Sequence, residues 1–499
     1  MKKLNLTSFP ELANKAPEKI IQFGEGNFIR AFIDWIIYKM NKQNIYSGSV
    51  VAIQPTPHGK VVGKLNAQDG LFTTILRGIE NGKKVDNREI VNSISRGINP
   101  YTNWDDVLTC AENPDIEIVF SNTTEAGLKY NPDDMQQMNP PLSYPAKLTL
   151  YLYHRYQHFN GAADKGMYII PCELLENNGV LLKNLILKYI EQWNLPSEFK
   201  TWIEQHNKFY NTLVDRVVSG YPKDEITKLT TELGYEDTLI ACGEPFLFFA
   251  IEGDKALNDK LPLLNSGLNI VLEDDIAKYR LRKVRILNGG HTANVPAAFL
   301  AGLDTVSQMM SDDITGKFVR HTLKDIILPS ISLDKHMLTD FANATIERFQ
   351  NPFIKHYLQS ILLNCTDKFK VRVLPSILEY HEKYHVFPNE LCFAFAAYIY
   401  LYNTPKVADN LFYIKHNNVE IALQDDIIAV QKLTAAWKMY KNTPDSAKNV
   451  VETILSDKTL WNTNLAKYPE LVDNVSKYLY EIDTMGTKKI MASLLGKEN

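Results

Sequence analysis

An amine, an amide and an imidazole occur within nine residues of the stretch KVRILNGGH, which runs from Lys283 to His291. At about 100° per residue on a helix, Asn288 lies about 140° and His291 about 80° from Lys283, so one broad side can carry all three. A lysine with a pKa near neutrality can exchange a proton, while an amide and an imidazole can hold an oxygen that gains or loses charge. These residue types therefore predict alcohol and ketone chemistry.

A second interpretation of the same stretch is an ordinary helix start. Lys283 and Arg285 would then lie in solvent, Asn288 would cap a turn and His291 would pack in the core. An axial spread of roughly 12 Å and the Gly289-Gly290 pair both weigh against a regular catalytic helix. The motif alone leaves both interpretations open, so the elements around it must decide.

Length and composition indicate a soluble-type protein of several domains. The chain has 499 residues, 45% of them hydrophobic, and a formal charge of −4. Its longest apolar run, Leu391–Tyr402, is too short to span a bilayer, and no basic block suggests nucleic-acid binding. The N-terminus lacks the apolar segment of a secretory signal. Five scattered cysteines without a C-x-x-C pair favour reduced thiols. We therefore expect a cytoplasmic protein without nucleic-acid or membrane partners.

A strand, a glycine turn and an amphipathic helix are predicted over residues 18–43, followed by a strand at 48–55. Gly24 and Gly26 would let backbone amides approach a pyrophosphate at the helix start, as in dinucleotide-binding folds. The match is partial. Ile29 stands where a third glycine is usual, and Gln54 stands in place of the acid that binds a ribose.

Polar residues follow several further strands in the first half of the chain. Ser121, Asn122, Thr123 and Glu125 come after one strand, where doubly wound folds bind ligands. The patterns at 165–179 and 212–222 are similar: Glu173, Asn177 and Asn178 follow the first, and Asp215 and Arg216 end the second. Together these patterns predict a parallel sheet, to which residues 244–254 could add an antiparallel edge strand.

Beyond about residue 280 the strand signals stop and helical apolar spacing recurs to residue 496. We therefore predict an α/β domain over residues 1–278 and an all-helical domain over 279–499. Within the helical half, HEKYH at 381–385 matches the helical zinc signature, with His381 and His385 as ligands and Glu382 as base. Pro388 would end that helix and the extended form of the motif fails, so a zinc hydrolase is the remote alternative.

Six segments together resemble the long-chain polyol dehydrogenases, a family that includes mannitol dehydrogenases and uronate reductases. They occur in the family's order, from FGEGNFIRAF through SNTTEAG and the loop after Cys172 to LVDR, KVRILNGGH and RFQNPFIKH, which ends at residue 356. The closest likeness is to the uronate-reducing branch. The series is far more specific than any single motif.

This resemblance implies an NAD-dependent, metal-independent enzyme that interconverts D-tagaturonate and D-altronate in hexuronate catabolism. A fructuronate reductase or a mannitol-type polyol 2-dehydrogenase is the alternative. The resemblance also implies a Rossmann-type N-terminal domain and a helical C-terminal domain like that of 6-phosphogluconate dehydrogenases. Lys283 would be the general acid/base, and Asn288 and His291 would polarise the substrate oxygen. The residues implied for cofactor binding are Phe23, Gly24, Gly26, Asn27, Phe28, Gln54, Asn122, Thr123 and Glu125.

A uronate also requires groups that neutralise its carboxylate. Arginine and lysine suit such anion clamps, and the candidates are Arg348, Lys355, His356, Lys370 and Arg372. Asn178 and Asp215 are further candidates for substrate contact. The chain departs from its relatives at Leu174, where they commonly carry an asparagine; Asn178 is the candidate to replace that donor. Gln54 leaves the choice between NAD and NADP open, and the family branch favours NAD.

Overall fold

The computed structural model describes residues 1–496 and divides into two compact units. The first unit comprises Met1–Gly78 and Lys83–Ala277, and the second comprises Ile79–Gly82 and the chain from Lys278 onward. The first unit is α/β and the second is mostly helical.

A six-stranded parallel sheet forms the centre of the first unit. Numbered along the chain, its strands have the order 3-2-1-4-5-6 of the Rossmann fold; they are Glu18–Phe23, Ser49–Ile53, Ile94–Ile98, Ile118–Ser121, Tyr168–Pro171 and Lys208–Phe209. The first and fourth strands are neighbours, and the sheet continues in opposite directions from them. This pair is therefore the switch point, where such folds bind ligands beyond the carboxyl ends of the strands.

Helices cover both faces of this sheet. Alternate residues of each strand point to opposite sides, so the strands contribute to two apolar clusters. Ile20 and Phe120 lie in one apolar cluster, while Ile21 and Val119 lie in the other. The α-helices of the unit are Val61–Ala67, Trp104–Glu112, Tyr144–His158, Asn178–Gln192, Ser197–His206, Ile226–Leu233, Ala256–Lys260 and a continuous helix that comprises Asn27–Ile29, a π-helical turn at Arg30–Asp34, and Trp35–Lys42.

Three smaller sheets complete the first unit. Their strands are Asn211–Asp215 with Phe248–Glu252 and Ile270–Glu273; Val218–Gly220 with Ala241–Gly243, Phe72–Glu80 and Lys83–Val91; and Lys2–Lys3 with Tyr235–Glu236. The prediction that the strand before Arg216 joins the parallel sheet is wrong, because Asn211–Asp215 pairs antiparallel with Phe248–Glu252. The predicted antiparallel strand exists, but it is the middle strand of this separate sheet.

The second unit is mostly helical, and one of its helices is buried along most of its length. Asn389–Tyr400 is apolar on every side, and its residues from Leu391 to Ile399 are buried, as expected of a helix at the centre of a core. The other helices of this half are Ala277–Arg282, Gly289–Leu300, Val306–Ser311, Thr315–His321, Leu328–Ser330, Lys335–Phe349, Leu358–Leu362, Cys365–Arg372, Leu374–Tyr384, Ile427–Ala436, Pro444–Ser456, Lys458–Trp461, Pro469–Met485 and Thr487–Leu494, with π-helical turns at Lys283–Asn288 and Thr322–Ile327.

One part of the second unit differs from the prediction of a purely helical half. Val407–Ala408, Leu411–His416 and Val419–Gln424 form an antiparallel sheet. The outer strand is largely exposed, so its sequence lacks the buried apolar alternation by which strands are recognised. Within residues 1–496, no helix has the length and apolar character needed to cross a membrane.

Candidate active site

The stretch KVRILNGGH forms a π-helical turn, Lys283–Asn288, that continues directly into the α-helix Gly289–Leu300. A π-helix bonds residue i to residue i+5, so Lys283 and Asn288 lie one turn apart on the same side. His291 follows Asn288 by three residues of regular helix, a spacing that again shares one side. The π turn therefore aligns the three side chains better than the 100° spacing of an α-helix would.

Arg285 anchors this π turn to a neighbouring helix. Its guanidinium is 2% exposed and donates two hydrogen bonds of 2.9 Å to the carboxylate of Glu379. It also donates to the hydroxyls of Ser376, at 2.8 Å, and Ser330, at 3.3 Å. Arg285 is thus a buried structural cation, which corrects the alternative interpretation that placed it in solvent.

Gly289 lets the backbone of a second helix approach closely. A Cβ atom at this position would lie 2.9 Å from the carbonyl oxygen of Arg372, at the end of Cys365–Arg372. A Cβ at Gly290 would lie 2.6 Å from a methyl group of Leu323. The glycine pair that weakens a helix in isolation is therefore required by packing here, and it brings the Arg372 segment against the Lys283 helix.

The imidazole of His291 stacks on Phe349, with ring centroids 4.0 Å apart and an angle of 18° between the planes. The ring of His356 meets it edge-on at 5.1 Å. Nε2 of His291 is buried and has no hydrogen-bond partner among the described residues. Burial holds the pKa of His291 well below 6.5, and the neighbouring His356, Arg348 and Arg372 lower it further. The residue is therefore a neutral imidazole with one buried nitrogen unsatisfied.

Four basic side chains form a cluster at this imidazole: Arg348, His356 and Arg372 lie near His291, and Lys368 lies near His356 and Arg372. Burial lowers the pKa of His356, and nearby Lys368 lowers it further; burial and then Arg372 lower the pKa of Lys368 in the same way. Within residues 1–496, the Arg372 side chain makes no hydrogen bond or ion pair, although burial lowers its pKa. The arrangement concentrates positive charge and suits an anionic ligand.

The predicted cation set is only partly gathered in this cluster. Lys355 is exposed, and Lys370 forms a 2.9 Å ion pair with Asp367. Lys368 was missed, although its spacing of four residues from Arg372 places both on one helix side. Its ammonium donates to the carbonyls of Ile361 and Leu363, which leaves one of its three N–H groups for a ligand.

In the first unit, the glycine turn lies at the switch point of the sheet. Gly24 has φ +125°, and a Cβ there would lie 2.8 Å from the carbonyl oxygen of Asn122. At Gly26, by contrast, a Cβ would meet nothing within 4 Å in the described part of the chain. In the described part of the chain, no side chain caps the helix that begins at Asn27. The backbone amides of its first turn therefore suit an anion such as a pyrophosphate.

A cavity of about 490 Å³ adjoins this turn within the first unit. It brings together three of the predicted cofactor residues, Phe28, Asn122 and Glu125, with Thr124, Ala126 and Leu174. Thr123 does not line it, because its amide and hydroxyl both donate to Glu173, at 2.8 and 3.0 Å. Mixed apolar and polar walls of this kind fit a ring and a ribose of a dinucleotide. The residues present therefore fit such a cofactor.

Three other predicted cofactor residues, Phe23, Asn27 and Gln54, do not line this cavity. The ring of Phe23 is fully buried and packs on Tyr144 at 5.0 Å, so the expected cofactor contact cannot come from this side chain. Asn27 begins the helix and accepts a 2.8 Å hydrogen bond from Arg30. Gln54 directly follows the second strand of the sheet, where a ribose-binding residue is expected, and its amide donates to the carbonyl of Thr56 at 2.8 Å.

Asn178 has no capacity left for a substrate. It is fully buried, its amide donates to Pro171, Glu173 and Thr212, and its oxygen accepts from the backbone of Gly179 and Thr212. The expectation that it replaces the donor absent at Leu174 therefore finds no support, and Leu174 itself is 62% exposed. Asp215 ends a strand of the first unit and is 4% exposed.

The HEKYH stretch does not place both histidines on one helix, as the remote zinc alternative requires. The helix ends at Tyr384, and His385 has a left-handed backbone with φ +59°. The ring of His381 stacks on Phe387 with centroids 3.9 Å apart. Residues 1–496 contain no group of three or more His, Cys, Asp or Glu side chains placed to hold a metal ion.

The chain matches two family profiles, the Mannitol dehydrogenase Rossmann domain over residues 18–265 and the Mannitol dehydrogenase C-terminal domain over residues 275–483. It belongs to the mannitol dehydrogenase family. A relative named altronate oxidoreductase, from Halalkalibacterium halodurans, is 42% identical and the match covers 97% of this chain and 94% of the relative. Another of that name, from Pectobacterium atrosepticum, is 43% identical over 98% and 99%.

The fold also matches a solved member of the mannitol dehydrogenase family. This is the Pseudomonas fluorescens mannitol 2-dehydrogenase ternary complex with NAD and D-mannitol, which is 20% identical with a TM-score of 0.66; the match covers 99% of this chain and 100% of that one. The predicted Rossmann-type domain and helical C-terminal domain are therefore confirmed. Family membership also confirms the resemblance drawn from the six sequence segments.

Proposed function

We propose that this mannitol dehydrogenase family member interconverts D-tagaturonate and D-altronate with NAD(H), as a cytoplasmic enzyme of hexuronate catabolism. Residues 1–278 bind the cofactor and residues 279–499 carry the catalytic groups. Support comes from relatives named altronate oxidoreductase at 42% and 43% identity, each matched over at least 94% of its length. The observation that carries the proposal is the buried, unpartnered Nε2 of His291 on the helix side shared with Lys283 and Asn288.

The cofactor is held by the Gly24–Gly26 turn, the first-turn amides from Asn27 and the cavity lined by Phe28, Asn122 and Glu125. Bound NADH supplies a hydride for the ketone carbon. Gly26 leaves the pyrophosphate room to approach, because nothing in the described chain lies within 4 Å of its Cβ direction. Gln54 lies at the ribose position as a neutral amide, and it does not distinguish NAD from NADP by charge.

Lys283 donates the proton that the reduced oxygen needs, and it takes that proton back in the oxidative direction. Asn288 and His291 hold the oxygen while negative charge builds on it. A positioned donor of this kind contributes about 3 kcal/mol of transition-state stabilisation. His291 suits the role because its imidazole is neutral, so it can donate without carrying a competing positive charge. Its missing hydrogen-bond partner is the substrate oxygen.

The substrate carboxylate binds the cation cluster of Arg348, His356, Lys368 and Arg372. The lowered pKa values of His356, Lys368 and Arg372 are raised again when an anion binds. A neutral polyol carries no negative charge to offset the positive charge of the cluster, so the cluster favours a sugar acid over mannitol or fructose. Among the residues proposed from sequence, Arg372 is the best carboxylate ligand and Lys355 is the poorest.

The test is NADH oxidation with tagaturonate, fructuronate and fructose as parallel substrates, followed by absorbance. We expect turnover of tagaturonate with the highest kcat/KM. Preference for fructuronate would replace the substrate within the same chemistry, and preference for fructose would remove the role of the cation cluster. Turnover of none of the three ketones would contradict the proposed function.

A further inference from the structure

The carboxylate of Glu173 joins the ends of two neighbouring strands of the parallel sheet. One oxygen accepts the backbone N–H of Thr123 at 2.8 Å and its hydroxyl at 3.0 Å, and the other accepts the hydroxyl of Ser121 at 3.0 Å. Glu173 is 2% exposed. Burial raises its pKa, and the hydrogen bonds to Thr123 and Ser121 oppose that rise. Three donors converge on this carboxylate, an arrangement that favours its ionised form.

Two further hydrogen bonds fix these loops, one between them and one within the second. The amide of Asn122 donates to the carbonyl of Cys172 at 2.9 Å. The amide of Asn178 donates to the backbone carbonyl of Glu173 at 3.0 Å. The loop after the first strand therefore donates to both the side chain of Glu173 and the backbone of Cys172, and Glu173 supplies the only carboxylate in this set of bonds.

The loop that Glu173 holds is strained. Thr124 has φ +70°, a left-handed conformation that β-branched residues rarely adopt. A Cβ at Gly127 would lie 2.2 Å from the hydroxyl oxygen of Thr123, so the loop also folds tightly back on itself. Strained backbone persists only where surrounding bonds hold it, and it concentrates at ligand sites. The hydrogen bonds that Thr123 donates to Glu173 are placed to hold this strained backbone, because Thr123 directly precedes Thr124.

Both loops form walls of the 490 Å³ cavity. Thr124 follows the residue that Glu173 binds, and Leu174 follows Glu173 itself; both line the cavity. The hydrogen bonds of the carboxylate therefore fix the separation of the two walls. Glu173 itself does not line the cavity, so it fixes the walls without contacting what the cavity holds.

We propose that Glu173 is a positioning residue for the cofactor, which holds the Thr124 and Leu174 walls at the separation that NADH requires. This inference rests on the proposed function in that the cavity binds NAD(H). Glu173 acts through Thr123 and Ser121 rather than by contact with the reacting atoms. Its loss therefore weakens NADH binding more than it slows the chemical step.

The test is the Glu173→Gln variant, which keeps the side-chain shape but turns one acceptor into an NH₂ group facing donors. We expect the dissociation constant for NADH, measured by fluorescence titration, to rise about tenfold or more. The KM for NADH rises in parallel, while kcat at saturating NADH stays within about twofold. The matched control is Glu191→Gln, which removes an exposed carboxylate paired with Lys200 and leaves NADH binding unchanged.

An unchanged dissociation constant in folded Glu173→Gln would overturn the inference, as would a loss of kcat without a change in binding. If Glu173→Gln does not fold, Thr123→Val decides, because it deletes one of the three donors and should still weaken NADH binding measurably. A wild-type protein that binds NADH but reduces no ketone would overturn the proposed substrate and leave this inference standing. A wild-type protein that does not bind NADH would overturn both.

Discussion

The ring of His291 lies face to face with the ring of Phe349, with centroids 4.0 Å apart. The stack fixes the imidazole plane and keeps water from one face, while Nε2 remains buried without a partner among residues 1–496. Buried polar atoms in proteins are nearly always hydrogen-bonded to protein, water or ligand, so this nitrogen can accept one partner from outside the chain. In the proposed function, that partner is a substrate oxygen held beside Lys283 and Asn288.

Acid should destabilise the protein through His291. Its folded-state pKa lies well below 6.5, because it is buried among cations, so below about pH 6.5 the unfolded chain binds a proton that the folded chain refuses. Stability is therefore lost as the pH falls through this range, by up to about 1.4 kcal/mol per pH unit. Thermal unfolding at a series of pH values measures this loss.

The matched variant is His291→Phe, which keeps a stacked ring but cannot titrate. Its melting temperature should fall less between about pH 7 and pH 5 than that of the wild type. His356, whose pKa is also lowered, remains in both proteins and contributes equally. Identical pH dependence in the two proteins would mean that His291 does not stay neutral in the folded state.

Gly26→Ala should separate cofactor binding from folding. Gly26 has φ −67°, and its Cβ would meet nothing within 4 Å in the described chain, so the melting temperature should not change. A methyl group in the pyrophosphate path should nonetheless raise the KM for NADH by about tenfold or more. Gly24→Ala is the contrast, because φ +125° and the 2.8 Å approach to Asn122 also predict a loss of stability. Normal NADH binding by Gly26→Ala would place the cofactor elsewhere.

Arg372→Ala should reduce selectivity for a carboxylate. A charge-assisted hydrogen bond contributes about 1.5–3 kcal/mol, so the KM for tagaturonate should rise about tenfold to a hundredfold. Activity with fructose, which has no carboxylate, should change little. Lys370→Ala is the control, because Lys370 is ion-paired with Asp367. Equal losses with both substrates would show that Arg372 supports the helix rather than binding the anion.

Arg285→Met should disturb the π turn that carries Lys283 and Asn288. The change removes the bonds to Glu379, Ser376 and Ser330 and should cost about 1–3 kcal/mol of stability. We expect a lower kcat with an unchanged dissociation constant for NADH, because the cofactor turn lies on other elements. Steady-state kinetics and NADH titration measure the two effects separately. Weaker NADH binding with normal kcat would contradict this role for Arg285.

The fold could be predicted from the sequence where short-range patterns dominate. The strand, turn and helix at residues 18–43 combine apolar periodicity with glycine positions, and they appear in the structure as expected. For the strand before Arg216 the sequence pattern predicts the wrong sheet, because periodicity identifies a strand but not its partner. The strands between residues 407 and 424 were missed because exposed strands carry little apolar alternation.

The site was predictable in its residue types and less so in its geometry. Residue chemistry is enough to propose Lys283, Asn288 and His291, but the π turn that aligns them depends on contacts such as that between Arg285 and Glu379. Asn178 was a reasonable candidate as a polar residue after a strand. Only the structure shows that its amide is bonded entirely to the protein.

The most direct test of the central claim is the rate of tagaturonate reduction by Lys283→Ala, with and without small added alkylamines. In the proposed mechanism Lys283 supplies the proton to the new hydroxyl, so the variant should lose at least about a hundredfold in kcat while still binding NADH. Added amines should restore part of this loss, and Lys335→Ala, which removes an exposed lysine, should be fully active. A Lys283→Ala enzyme that reduces tagaturonate at the wild-type rate would contradict the assignment of Lys283 as the acid/base.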